Sequence, residues 1–487
     1  MTLSYIPSDT NDEGILKATA SGILPNGKAV IVNADGTVSA AASSGSEFSK
    51  GSPVVFDTQD PTEGLSVVYD SSNNKVVVIY SDSGNSSYGT AVVGTVSGTS
   101  ISFGTPVVFN SGNTQQVGAT FDSNSNKVIP VWHQAIGTSL RAIVGTVSGT
   151  GISFGSSTTF STDGSNSPLR ATFDSSSNKV VVGYLDDGNS SAGTAIVGTV
   201  SGTSISFGSA TVWQAAASSC GLTFDSNSNK VVIGYGKSSV GYGIVGTVSG
   251  TSISFGTRVA MDGSNNAERL FLTFDSANNK VVFGYTARSD SESGAAIVGT
   301  VSGTSIGFGS PSFFIGPGVG NYQIHGATYD STAGRVVFSS VFESTSRIFI
   351  SSASISGTSL VFGDNDDTGQ TTFQFSPIVY DSNTNTVVCV YQDAVNSKRG
   401  TALVTTTNTF STNLTAENYI GISTGGTYAS GSTATVKIIG NTSNEQTSLT
   451  AGQAYYVQTD GTIGTTAADP SVFAGTAISA TRLIVKT

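Results

Sequence analysis

Residues Phe173-Asp174-Ser175-Ser176-Ser177-Asn178-Lys179-Val180-Val181-Val182-Gly183-Tyr184 carry the phrase that decides the fold, because it returns, with wear, along most of the chain. Its aspartate recurs as Asp70, Asp122, Asp174, Asp225, Asp275, Asp330 and Asp381, at intervals of 52, 52, 51, 50, 55 and 51 residues. A second phrase, Val197-Gly198-Thr199-Val200-Ser201-Gly202-Thr203-Ser204-Ile205-Ser206-Phe207-Gly208 in the same copy, follows the first five aspartates almost unchanged and the sixth in a worn form, Ser352 to Leu360. Regular repetition at this period marks an architecture built from one supersecondary unit.

Each unit reads as four antiparallel strands, A to D. In the third copy A ends at Ala171-Thr172-Phe173, B is Lys179–Tyr184, C is Thr194–Val200, and D runs from Thr203–Phe207 on to Trp213. Asp174 to Lys179 is a short hairpin loop, where Asp accepts backbone N–H groups and Asn tolerates a positive φ. In the sixth copy the Asn position is Gly334, the other residue suited to positive φ. Ser201-Gly202 marks a second hairpin. Four strands per roughly 50 residues is the spacing of a β-propeller blade.

The seventh copy supplies A (to Tyr380), B (Val387–Tyr391) and C (Thr401–Thr405) but lacks strand D. The missing piece lies at the other end of the chain. Phe48-Ser49-Lys50-Gly51-Ser52-Pro53-Val54-Val55-Phe56 matches Phe103-Gly104-Thr105-Pro106-Val107-Val108-Phe109. The expectation is therefore an all-β, seven-bladed propeller over residues 47–410, closed by an N-terminal outer strand, with A innermost. Small residues such as Gly118-Ala119-Thr120 and Gly326-Ala327-Thr328 suit a crowded ring centre, and the aromatic before each aspartate suits the contact between blades. The arm, 1–46, and the tail, 411–487, do not repeat. Both are β-patterned with Asp-Gly turns (Asp35-Gly36, Asp460-Gly461), and they are expected to form one small β-module that serves for attachment.

Composition narrows function. Of 487 residues 59 are Gly and only 11% are charged, against about 25% in an ordinary globular protein. Net charge is −11, which argues against nucleic acid and anionic lipid as partners. No apolar run approaches the ~20 residues that span a bilayer, and the first residues show no secretory signal pattern. Cys220 and Cys389 lie in different units and are expected as small buried apolar residues.

Several motifs mimic chemistry without its context. Gly22 to Lys28 has phosphate-loop spacing, but Ala29 stands where Ser or Thr is needed and a strand follows. Gly151-x-Ser153-x-Gly155 and Gly303-x-Ser305-x-Gly307 lack the helix of a nucleophile elbow. Asp122-x-Asn124-x-Asn126 and Asp225-x-Asn227-x-Asn229 begin like calcium loops, but Lys127 and Lys230 replace the needed glycine, so turn capping is expected. Nine arginines in the whole chain leave little for a three-arginine carboxylate clamp. No catalytic residue, cofactor or metal ligand is assigned, and the chain is not expected to be an enzyme.

The A–B and C–D loops share one face and repeat almost unchanged. The B–C and D–A loops share the other face and differ from blade to blade, as Asn110 to Gln116 and Ile315 to His325 illustrate. A single ligand on a repeating scaffold is gripped where the copies differ. Trp132, His133, Asp186, Asp187, Trp213, Arg269, Arg288, Tyr322 and His325 fall at or near these loops and are the candidate ligand contacts. Aromatic rings stack on the apolar face of a sugar, and Asp and Arg bond its hydroxyls.

Asn413-Leu414-Thr415-Ala416-Glu417-Asn418-Tyr419-Ile420-Gly421-Ile422-Ser423, with Gly452-Gln453-Ala454-Tyr455-Tyr456-Val457-Gln458-Thr459-Asp460-Gly461-Thr462, resembles virion proteins of marine (cyanophage-like) tailed phages. The repeat phrase and the arm Leu24-Pro25-Asn26-Gly27-Lys28-Ala29-Val30 resemble the same group. The resemblance implies a structural or fibre-like protein of the virion, assembled in the host cytoplasm beside other virion proteins, and assigns no active site. A fibre or adhesin that binds a host surface glycan or protein is the leading expectation. The alternative is a passive capsid-decoration component anchored by the arm–tail module, and a polysaccharide-acting enzyme ranks behind both. Whether several copies assemble stays open.

Overall fold

The computed structural model describes residues 14–41, 43–44, 48–61, 64–135, 139–163, 169–262, 267–288, 292–314, 321–372, 374–407, 411–415, 417–458, 461–465, 467 and 471–486. Residues 1–13 of the arm, Ile315 to Gly320 of the long D–A loop, and Asp460 of the tail's turn lie outside them. The chain divides into two compact units, residues 47–408 and the combined segments 1–46 and 409–487.

The larger unit is a β-propeller. Its third blade runs A Arg170–Asp174, B Lys179–Asp186, C Ala192–Ser201 and D in two pieces, Ser204–Phe207 and Thr211–Gln214. All neighbours are antiparallel, and the same order recurs from Leu65–Asp70 to Arg399–Thr407. Between the first two blades D and A fuse into one strand, Val107–Asp122. In the seventh blade the fourth strand comes from the N-terminal side. Phe48, Ser49 and Lys50 pair with Thr407, Thr406 and Thr405, and Val54 and Val55 pair with Ala402 and Thr401.

Apolar packing explains why strand B reads Lys-Val-Val-Val. Successive side chains point to opposite faces, and here both faces are covered, so the strand is a continuous apolar run. In the first blade Val76 and Val78 pack with Val388, Val390 and Val404 of the seventh, while Val77 and Ile79 pack with Val128 and Trp132 of the second. Five further junctions follow the same scheme, each cluster shared by two successive blades. The inner strands also touch in sequence, and the seventh touches the first. The ring is closed by packing as well as by strand pairing.

The turn chemistry follows the residues. Each of the seven aspartates accepts the backbone N–H groups two and three residues on, as Asp174 does from Ser176 (2.9 Å) and Ser177 (3.0 Å). The loop's Asn178 sits at φ 54°, and Gly334 takes the equivalent place at 63°. Asp122 and Asp225 hold Asn124 and Asn227 in the same way, the capping role expected of them. The aromatic before each aspartate packs in the junction clusters, Phe173 with the second and third blades and Tyr380 with the sixth and seventh.

The glycine at the break in strand D has a steric cause. A Cβ on Gly208, at the break, would lie 2.0 Å from the carbonyl oxygen of Thr251 in the next blade. Gly51, Gly104, Gly155, Gly256 and Gly309 meet Thr99, Thr150, Thr203, Thr304 and Thr358 at 1.8–1.9 Å in the same sense. The Phe-Gly of one repeat and the Gly-Thr of the next are thus two halves of one contact. The seam from the sixth to the seventh blade has no C–D turn to offer, and there Lys50 reaches Asp366 at 3.0 Å and the carbonyl of Asp367 at 2.7 Å.

In the smaller unit arm and tail interlace. Ile15–Thr19 pairs with Thr433–Ile438, and Ala29–Val32 pairs with Tyr419–Thr424 in a five-stranded sheet. The tail adds a second sheet containing Ala454–Val457, Phe473–Ala477 and Leu483–Val485. Ile31, Tyr419, Ile422, Tyr455, Val457 and Leu483 form one core drawn from both sheets. Gly27 is at φ 75° in a turn that leads into the strand Ala29–Val32, so the phosphate-loop spacing precedes a strand and not a helix.

Candidate functional site

The first residues of the inner strands surround a cavity of about 440 Å³ on the ring side of the blades. That volume suits a small-molecule ligand. Gly118, Ala119, Gly326 and Ala327 form part of its wall, as expected of small residues at the centre. Its chemically distinctive lining is Gln116, Arg170, Arg269, Phe271, His325 and Phe375. These come from five different blades, and all lie at the end of strand A next to the D–A loops.

Three inner strands are irregular at that level. Pairing with strand B slips between Gln115 and Gly118, between Glu268 and Phe271, and between Ile324 and Gly326. Such bulges re-aim a side chain and collect beside functional sites. Gln116 and Arg269 adopt φ 46° and 50°, a region that non-glycine residues rarely occupy. The extra residue turns Val117 and Leu270 into the blade junctions, where they are 5% and 1% exposed, and leaves Gln116 and Arg269 lining the cavity. Gln116 and Arg269 each stand six residues before the turn aspartate of their blade. The same count gives Gly64, Ser219, Ile324 and Phe375 elsewhere, so one position of the repeat carries a different residue in each of these blades.

Electrostatics single out the arginines. Arg269 Nη1 lies 3.4 Å from His325 Nε2. Burial lowers the Arg269 guanidinium below its ordinary pKa, against the upward pull of Glu343, Glu268 and Glu292. Burial, aided by neighbouring Arg269, holds His325 down at about 3, so the imidazole is neutral at neutral pH. Its Nδ1 has no hydrogen-bond partner. Arg170 lies over the Phe271 ring, 4.9 Å from its centroid, and donates from Nη1 to the carbonyl of Leu169, at 3.3 Å. Among the described residues its buried Nε has no partner, and burial lowers its pKa. A second cavity, of about 530 Å³, shares Arg269, His325, Gln374 and Phe375 with the first and adds Glu343.

The nine expected contacts divide accordingly. Arg269 and His325 meet at the axis, and Arg288 and Tyr322 lie on the same two blades, outside the cavity lining. Arg288 is exposed and pairs with Glu268 at 2.7 Å and Glu292 at 3.6 Å. Tyr322 is stacked on Phe342 at 4.7 Å and meets the Phe349 edge at 5.4 Å. Asp187 is exposed beside half-buried Asp186, in a short turn where it accepts the Ser191 hydroxyl at 2.9 Å.

Trp132 and Trp213 are corrected from ligand contacts to core residues. Trp132 is fully buried in a strand covered on both sides, with its ring 5.1 Å from Phe109. Trp213 is 7% exposed and lies against Gly193, where a Cβ would come within 2.4 Å of the indole. His133 is likewise buried, 6% exposed, and burial lowers its pKa, so it offers a ligand little surface. Gln116, Arg170, Phe271 and Phe375 line the cavity without having been candidate contacts from the sequence. Cys220 and Cys389 are buried thiols pushed up to about 11 and about 12 by burial. Among the described residues no group of three or more His, Cys, Asp or Glu is placed to hold a metal ion, and no helix is long and apolar enough to cross a membrane.

No protein-family model matches the chain. No curated protein matches it. Among solved structures it is similar to the SapL1 lectin in complex with α-methyl fucoside, at 14% identity and TM-score 0.40, covering 59% of this chain and 90% of that one. A protein from Lactobacillus plantarum is similar at 9% identity and TM-score 0.43, covering 69% and 93%. The periplasmic gluconolactonase of Pseudomonas aeruginosa is similar at 11% identity and TM-score 0.46, covering 70% and 95%.

Proposed function

We propose that the protein is a virion component of a tailed phage whose propeller grips a ligand of the host surface at its axis. The observation that carries the binding role is the set of three bulged inner strands. A scaffold that repeats its turns and rim almost unchanged departs from its own pattern at one level, and there it aims Gln116, Arg269 and His325 into one cavity. Backbone held in a rare φ region costs of order 1 kcal/mol or more and persists where the surroundings impose it. A purely structural ring has no use for it. The virion role rests on the resemblance of the arm, the repeat and the tail, and the interlaced arm–tail module supplies a unit separate from the ligand site that suits attachment to other virion proteins.

Adsorption of the purified protein to host cells tests the binding role. Gln116→Ala with Arg269→Ala should reduce adsorption by about tenfold or more, the loss expected of charge-assisted contacts. Lys75→Ala with Lys179→Ala, on the opposite end of the blades, should leave it unchanged. An equal response from both pairs, or from neither, removes the axis as the ligand site.

A further inference from the structure

We infer that the axial cavity takes a saccharide bearing a carboxylate, held between Arg170 and Arg269 and packed against Phe271 and Phe375. The inference rests on the reading of the axis as the ligand site and adds the chemical class of what enters it.

Arg170 is the decisive residue. In a chain of net charge −11 a guanidinium has carboxylates to choose from, yet Arg170 forms no ion pair among the described residues. It stands half-buried at the cavity wall, with one weak bond to a carbonyl, a ring beneath it and an unpartnered Nε. A desolvated charge without a counter-ion is costly, and folded proteins retain one where something else supplies the opposite charge. Arg269 faces the same cavity from the fifth blade; of its nearby glutamates Glu268 and Glu292 are shared with Arg288, while Glu343 lines the adjoining second cavity. Two guanidinium forks match the paired oxygens of a carboxylate in geometry and charge.

The rest of the lining excludes a bare small anion as the best occupant. Phe271 and Phe375, both half-buried, present apolar surface, which the C–H face of a sugar ring covers. Gln116 adds an amide, so hydroxyl groups have both a donor and an acceptor to meet, beside the neutral, largely buried imidazole of His325. Charge from the arginines, apolar faces from the phenylalanines and neutral polar groups between them describe an acidic sugar.

Titration calorimetry of the full chain with glucuronate, glucose and glucose 6-sulfate tests this. Glucuronate should bind about tenfold or more tightly than glucose, the margin of a charge-assisted pair over a neutral one. Arg170→Gln and Arg269→Gln should each erase most of that margin, weakening glucuronate more than glucose. Glucose bound as tightly as glucuronate, glucose 6-sulfate bound more tightly than either, glucuronate binding untouched by both substitutions, or no binding of any of the three would overturn the inference. Melting curves of both variants show that they fold. Host adsorption that depends on Arg269 while glucuronate fails would leave the axial site standing and discard only the acidic class. Glucuronate binding with adsorption indifferent to Arg269 would do the reverse.

Discussion

The rim of the propeller and its hub are built from the same repeat and obey opposite rules. At the rim, one contact is made six times over: a glycine without room for a Cβ under the threonine carbonyl of the next blade. The turns beside it repeat the same aspartate cap seven times, with backbone N–H distances of 2.9–3.2 Å. At the hub, the position six residues before each of those aspartates is Gly64, Gln116, Ser219, Arg269, Ile324 and Phe375 in six of the blades. Identity at the rim serves stacking, because every blade must meet the next in one geometry. Divergence at the hub suits the single occupant proposed for it, which would meet each blade once.

That contrast breaks first at the closing strand. Phe48 is 2% exposed in the cluster between the sixth and seventh blades, and Phe48→Ala should cost about 4 kcal/mol in denaturant unfolding. Loss of under about 1 kcal/mol would mean that the ring does not depend on the borrowed strand. Next comes the rim. Gly155→Ala drives a Cβ to 1.9 Å from the Thr203 oxygen and should cost about 3 kcal/mol, whereas Gly307→Ala, with nothing within 4 Å, should cost no more than about 0.5 kcal/mol. Similar midpoints for the two variants would show that rim glycines are compositional and not steric.

The hub should behave in the other direction. Arg170→Met removes an unpaired guanidinium over an aromatic ring, so stability should hold or rise by about 1 kcal/mol, because replacing buried charge by an apolar side chain is often stabilising. Destabilisation beyond about 1 kcal/mol would make Arg170 a structural residue. His325 adds a pH signature of defined sign. Folded His325 is held near 3 and stays neutral, while the unfolded side chain takes up its proton near 6.5. Stability from this group is therefore intact above about pH 6.5 and is lost as pH falls toward 3. The difference in melting temperature between the wild type and His325→Asn should narrow or reverse across that window, and parallel curves would contradict the burial of a neutral imidazole. The smallest effect is at the seam, where Lys50→Met should cost under about 1 kcal/mol because its ion pair with Asp366 is partly exposed.

The rim and the closure were legible in the sequence because they are the same words repeated, and a missing strand D with a spare copy at the other end has one economical reading. The hub was half legible. Arg269 and His325 attract notice as charged and titratable residues near variable loops. Arg170, four residues before Asp174, hides at the start of an ordinary inner strand, and only its missing ion pair in three dimensions marks it. Counting back from the aspartates would have aligned Gln116 with Arg269, but the bulges that expose them leave no pattern in the residues. The tryptophans misled for a physical reason. A large aromatic near a variable loop reads as a sugar platform, yet in a blade covered on both sides the same ring is what fills the junction, as Trp132 does against Phe109.

The central claim is that the hub binds and the rim holds. It is tested most directly by measuring, on one preparation of Arg170→Gln/Arg269→Gln protein, both its melting temperature and its binding to host-surface polysaccharide. Melting at or above the wild-type temperature is expected, with binding reduced by about a hundredfold, the combined effect of two charge-assisted contacts. Wild-type binding by a stably folded double variant would contradict it.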